Sequence, residues 1–211
     1  MEALAENNAE TGDAESSENG SETGDTGSSE EETESEVASE PDIIPWEEAG
    51  LEDHVMVWND GWLEAEMRAR VNNARDEAGE EYLEGDLMLS DVWEITSVDC
   101  SYHSSGVDIS ALSELKNLHR LSMRNCEISD ISALSNLTNL TYLDLANNNI
   151  SDISPLSGLT NLTDLDLHEN EISDVSSLSG LTNLTYLHVV YGNNVDESDI
   201  EALELPKLMS M

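Results

Sequence analysis

Residues 136–181 read NLTNLTYLDLANNNISDISPLSGLTNLTDLDLHENEISDVSSLSGL, and the stretch nearly repeats itself after 22 residues. The period continues outward on both sides. Leu118, Leu140, Leu162 and Leu184 form one column, Leu121, Leu143, Leu165 and Leu187 a second, and Met123, Leu145, Leu167 and Val189 a third. Ile128, Ile150 and Ile172 keep the same step, as do Asp130, Asp152 and Asp174, and Leu134, Leu156 and Leu178. Chance does not hold so many columns in register. Each unit is too short to bury its own leucines, so neighbours must stack and share one continuous core.

A fixed period of this size carrying L-x-x-L-x-L-x-x-N is the signature of a leucine-rich repeat. It predicts an α/β solenoid with a curved parallel sheet on the concave face and short 3-10 or irregular turns on the convex face. Residues 107–205 resemble the 22-residue repeats of the internalin family of bacterial surface proteins. WNDGWLE at residues 58–64, followed by LSDVWEITSVD at 89–99, is similar to the helical N-terminal cap of that family. The resemblance implies export and adhesion-type roles, with different partners held on one scaffold.

Three segments follow. Residues 1–50 carry 17 acidic residues and few large apolar ones, too few to offset chain entropy, so a disordered acidic linker is expected. Residues 51–97 read as the helical cap, which must cover the open apolar end of the first repeat. Asn59 or Asp60 caps a helix of roughly four turns whose stripe is Leu63, Met67 and Val71, and Ser90-Asp91 opens a second short one. The acidic insertion at 75–88 has no evident place, and Trp58, Trp62 and Trp93 read as cap core. Residues 98–211 form the repeat domain. Its first repeat, 95–117, is degenerate and must absorb an extra residue near 104–106. In the regular repeats the chain turns at Cys126, Asn148 and Asn170, and the asparagine side chains are expected to hydrogen-bond backbone groups of the neighbouring turn as a ladder along the solenoid. The last repeat departs after Val189, with Gly192 at the ladder asparagine place and Asn194 at the column isoleucine place. Ile200, Leu203, Leu205 and Leu208 then resume the apolar pattern. The final LMSM would begin another strand, so the domain reads as truncated at its C-terminal end.

Composition narrows the function. Forty-seven acidic residues against 7 basic ones give a formal charge of −40, and the first basic residue is Arg68. Such a surface repels nucleic acid and anionic lipid headgroups and makes both poor partners, so no nucleic acid is expected; adaptation to high salt is a second reading of the same charge. No apolar run is long enough to span a bilayer, so no direct membrane insertion is expected in this segment. The start shows no signal pattern. A bacterial surface or extracellular location would therefore need a signal or anchor outside these residues, and the alternative is cytoplasmic. Cys100 falls at an inward strand position and Cys126 at the ladder place of Asn148 and Asn170, so buried free thiols are expected. P-loop, dinucleotide, nucleophile-elbow and zincin motifs are missing, so neither catalysis nor a cofactor is expected.

Function is expected on the concave face, at the x positions between inward leucines. Neighbouring strands align Ser97, Arg120, Tyr142, Asp164 and Tyr186 in one column, and Asp99, Ser122, Asp144, Asp166 and His188 in the next. A third column holds Ser101, Arg124, Ala146, His168 and Val190, and a fourth Tyr102, Asn125, Asn147, Glu169 and Tyr191. The candidate partner-binding set is Arg120, Arg124, Tyr142, Asp144, Asp164, Asp166, His168, Tyr186, His188 and Tyr191. Tyr and Arg are enriched at interface hot spots, although Tyr also simply favours strands. The arginines would meet acidic groups of a protein ligand. Asp144, Asp166, His168 and His188 come close enough to share an ion, but acidic strand residues meet often by chance in so acidic a chain, and no metal is expected. The repeated N-L-T triplets at Asn136, Asn139, Asn161 and Asn183 fit a glycosylation pattern but read as repeat consensus. Other readings are a structural spacer within a larger surface protein and an intracellular adaptor.

Overall fold

The computed structural model describes residues 43, 45–103 and 106–208. Most of the expected acidic linker, the insertion point at 104–105 and residues 209–211 lie outside the described residues. Packed chain begins before the boundary at residue 50. The short helix α1 (Trp46–Ala49) leans on the core, and the Trp46 ring meets Trp93 edge-on at 5.4 Å.

The cap is built on α2 (Gly61–Ala78), 18 residues and thus about five turns. Asp60 caps it by accepting from the Trp62 and Leu63 amides at 2.9 Å, satisfying donors that a helix start leaves open. Gly79 ends it in a left-handed conformation. Leu63, Met67 and Val71 are buried along one stripe, as their spacing requires. The acidic insertion returns along the helix: the Leu83 amide donates to Asn72 at 2.7 Å, and the Arg75 guanidinium donates to the Glu81 carbonyl. Leu87 is buried, and Met88 pairs with Val55 in one antiparallel bridge. The third helix, α3 (Leu89–Val92), starts at Met88, whose amide donates to Asp91 at 2.8 Å.

Beyond the cap run five parallel strands in sequence order: β1 (Ser97–Asp99), β2 (Arg120–Ser122), β3 (Tyr142–Asp144), β4 (Asp164–Asp166) and β5 (Tyr186–His188). Between them, on the far side of the core, lie 3-10 turns at Ser110–Glu114, Ser132–Asn136, Ser154–Gly158 and Ser176–Gly180. Leucines of the three columns are buried throughout and fill the space between the two layers. The cap seals more than the apolar end. Arg70 of α2 donates to the Asp99 carbonyl at 2.8 Å and to the Ser97 carbonyl at 3.4 Å, so the open edge of β1 is met by a cation.

Two asparagine ladders tie the repeats together. The expected one is inside: Asn148 accepts from the Cys126 and Ile128 amides and donates to the Met123 and Leu145 carbonyls. Asn170 accepts from the Ile150 amide and donates to Leu145 and Leu167. At the ladder's start the Cys126 thiol donates to the Cys100 carbonyl at 3.1 Å. The second ladder runs through three of the positions expected to be repeat consensus, Asn139, Asn161 and Asn183, and through Asn117. Asn139, Asn161 and Asn183 each donate to a carbonyl of the preceding repeat, those of Lys116, Thr138 and Thr160, and Asn117 donates to the Trp93 carbonyl of the cap.

The last repeat differs from its sequence reading by one residue. In the regular repeats, Asn125, Asn147 and Glu169 turn the chain at φ between 52° and 58°, and the ladder residue follows. In the last repeat the positive φ falls on Gly192 (75°). Asn193, not Gly192, therefore closes the ladder, accepting from the Ile172 amide and donating to Leu167 and Val189. Val195, not Asn194, fills the isoleucine column and is buried. The cause is one inserted residue taken up at Tyr191–Gly192. A Cβ on Gly192 would also stand 2.7 Å from the Glu169 Cα, so the backbones approach where only glycine fits. A short helix, α4 (Glu197–Glu201), follows, capped by Asp196.

Candidate functional site

The strand registers align Ser97, Arg120, Tyr142, Asp164 and Tyr186 in one row, and Asp99, Ser122, Asp144, Asp166 and His188 in the next. Both rows agree with the sequence columns. The ladder continues past the strands, through the Tyr102, Asn125, Asn147 and Glu169 amides donating to the Arg124, Ala146, His168 and Tyr191 carbonyls. The alternation of a strand thus sends leucines inward and these side chains outward on one face.

At the centre of that face lies a charged cluster built on Arg124. Its guanidinium donates to Asp144 Oδ2 at 2.9 Å and to Asp166 Oδ2 at 3.1 Å. Asp144 is the more enclosed, only 5% exposed, and its other oxygen accepts from the Ala146 amide. Burial opposes the Arg124 charge, but the bond and attraction of Asp144, then of Asp166, raise its pKa above the ordinary value. Asp166 Oδ1 faces His168 Nδ1 at 2.6 Å and His188 Nδ1 at 3.4 Å, and the two imidazoles stack with centroids 4.5 Å apart. Arg124 Nη1 also sits 3.4 Å from His168 Nε2. A guanidinium can only donate, so Nε2 accepts and the proton of a neutral His168 resides on Nδ1, facing the carboxylate.

Ligand-capable atoms of Asp166, His168 and His188 lie within 4.8 Å of one another, so these three of the four suggested residues could hold an ion. Asp144 is not one of them, because it is turned to Arg124. That guanidinium already supplies positive charge to Asp166, and a divalent ion there would compete with it.

A second arrangement sits beside the cluster. Arg120 lies over the Tyr142 ring, 4.1 Å from its centroid, within cation–π range. Between Tyr142 and Tyr186 a cavity of about 270 Å³ opens over Asp164 and Asp166. Burial pushes the phenols of Tyr142 and Tyr186 above their usual pKa, with Asp144 next for Tyr142 and Asp166 next for Tyr186. Tyr186 is 39% exposed, Tyr191 63% and Tyr102 73%. Neither arginine of the candidate set is idle: one rests on an aromatic ring and the other binds two carboxylates. That division was illegible in sequence, because it depends on which side chain reaches across two strands.

The folded part defines a class. Stacked short parallel strands joined through 3-10 turns make a leucine-rich repeat solenoid, and the family model for leucine rich repeats (2 copies) matches residues 116–158, 138–180 and 160–205. An internalin (inlF) of Listeria monocytogenes is similar in structure, with a TM-score of 0.56 and 30% identity over 72% of this chain and 48% of that one. The chain thus spans about half the length of that internalin. A leucine-rich repeat protein of Leptospira interrogans shares the fold, with a TM-score of 0.50 and 22% identity over 56% of this chain and 31% of that one. No curated protein matches the sequence significantly. The chain is an internalin-like leucine-rich repeat protein. Such repeats are in general a protein-binding fold rather than a catalytic one. No helix among the described residues is long and apolar enough to cross a membrane.

Proposed function

We propose that the concave sheet is a non-catalytic recognition face for another protein, carried by a bacterial surface or secreted protein. One observation carries the reading. Among the described residues outside the cap, the exposed large apolar side chains are Tyr102, Tyr186 and Tyr191, one on a strand and two just beyond strand ends, while the repeat leucines are buried. Aromatic side chains presented on a rigid sheet offer area at low entropic cost, as interface hot spots do. The partner-binding set is Arg120, Tyr142, Asp164, Tyr186 and Tyr191 as the contacting shell, with Arg124, Asp144, Asp166, His168 and His188 as its floor. The surface or secreted location is supported by likeness to a Listeria internalin.

Site-directed photo-crosslinking tests the face. A photoreactive phenylalanine at Tyr186 or Tyr191 is expected to trap a protein from the producing cells or from cells they contact. The same group at Ser179, in the convex turn, is expected to trap none. Equal trapping from both sides, or none from the concave side, removes the reading.

A further inference from the structure

We infer that the space between Tyr142 and Tyr186 is a slot for a cationic side chain, an arginine or lysine of the partner, seated between the two rings on the Asp164 carboxylate. The inference rests on the concave face being the recognition face, and it gives the chemistry of what that face recognises.

The row across the sheet reads Arg120, Tyr142, Asp164, Tyr186. Its first half shows the chemistry within the chain itself. Arg120 comes from the β2 side and stacks on Tyr142 at 4.1 Å; the cavity lies on the β4 side of the same residue. Tyr142 and Tyr186 stand two strands apart, about 9.6 Å at the usual strand spacing. A flat or rod-shaped cation midway between them would lie about 5 Å from each ring, inside the range at which a ring quadrupole attracts a cation.

Asp164 supplies the charge. Its Oδ2 accepts from the Thr163 hydroxyl at 2.6 Å, and no ion pair reaches it among the described residues. Asp166, at the cavity's edge, is already shared by Arg124 and His168. The slot thus has two aromatic walls, one wall backed by a fixed arginine, and one carboxylate without a cation. A neutral apolar side chain would strand that carboxylate, and an anion would face it directly. The overall charge of −40 favours encounter with a basic partner surface in the same sense.

The test uses the whole chain and three small probes: Nα-acetyl-arginine amide, Nα-acetyl-lysine amide and the uncharged Nα-acetyl-norleucine amide. Ring resonances of Tyr142 and Tyr186 are followed by NMR at low salt. Saturable shifts are expected with the two cations and not with norleucine. Asp164→Asn, which preserves shape and the Thr163 bond, should weaken binding roughly two- to fivefold, and Tyr186→Ala by a similar factor. Glu127→Gln, in a turn away from the slot, should leave it unchanged. Equal shifts from norleucine, no saturation with either cation, or Asp164→Asn binding like the parent chain would overturn the slot. Because no protein partner enters this titration, its failure is separable from failure of the crosslinking experiment.

Discussion

At the scale of single residues, the floor of the concave face depends on one arginine. Asp144 is almost fully enclosed and its charge is met by Arg124. Removing the guanidinium strands a buried carboxylate, which costs more than the pair itself contributes. Arg124→Ala should lower unfolding stability by about 2–4 kcal/mol. Arg124→Ala/Asp144→Ala should recover part of that loss, because the two sites act together. Urea unfolding of the parent chain, Arg124→Ala, Asp144→Ala and the double variant measures the coupling; simple additivity would show that Asp144 does not need its partner. The thiols give a second expectation at this scale. Burial raises the pKa of both Cys100, to about 12, and Cys126. Since the thiolate is the reactive form, neither should react with a thiol reagent at pH near 8 until the fold is opened by denaturant. Prompt labelling of the native chain would contradict their burial.

At the scale of elements, the repeats are tied by amides on the inside and capped by carboxylates on the outside. Asn170 satisfies three backbone groups of two repeats where water does not reach, so Asn170→Ala should cost about 2–4 kcal/mol. Asn161→Ala, at an exposed position of the outer ladder, should cost about 1 kcal/mol or less, since water can replace its bond. Comparable losses from the two would mean that the ladders are equally buried, contrary to the structure. On the convex side Asp108, Asp130, Asp152 and Asp174 each accept the amide of the serine two residues on, at 2.8–2.9 Å. Those backbone bonds hold their pKa values below the usual one. A folded pKa lower than the unfolded one contributes stability that is complete above the unfolded value and is lost as pH falls through the folded one. Asp152→Asn keeps an oxygen for the cap without the charge. The stability difference between parent and Asp152→Asn should therefore be constant at neutral pH and change as pH falls below about 4. Superimposable profiles from pH 7 to pH 2 would show that the caps do not titrate with folding.

At the scale of the whole molecule, the net charge is the dominant feature. With −40 on 211 residues, self-repulsion works against the compact state and salt relieves it. Thermal midpoints should rise as sodium chloride is raised from about 0.01 M to 0.5 M, where the Debye length falls from about 30 Å to a few ångströms. A midpoint that falls with salt would mean that the few internal ion pairs, chiefly those of Arg124, outweigh the repulsion. The same field should make capture of any cationic partner weaken with salt.

The repeat period alone determined the solenoid, the strand order and the rows of the concave sheet, because stacking identical units leaves one way to bury leucines at a fixed step. It located the inner ladder for the same reason, whereas α2 was legible from its cap and from the spacing of Leu63, Met67 and Val71. What it misplaced is local. The last ladder residue moved from Gly192 to Asn193, because the inserted residue could be absorbed only where a glycine takes a positive φ. Nor could the linear pattern distinguish Asn117, Asn139, Asn161 and Asn183 from filler, since their acceptors lie one repeat away. The site was half legible: the columns named the residues, while partnership within them depended on reach. Arg120 turned to a ring, Arg124 to two carboxylates, and no cation among the described residues reached Asp164. Side-chain length and direction decide such pairings in three dimensions, and a period of 22 carries no information about them.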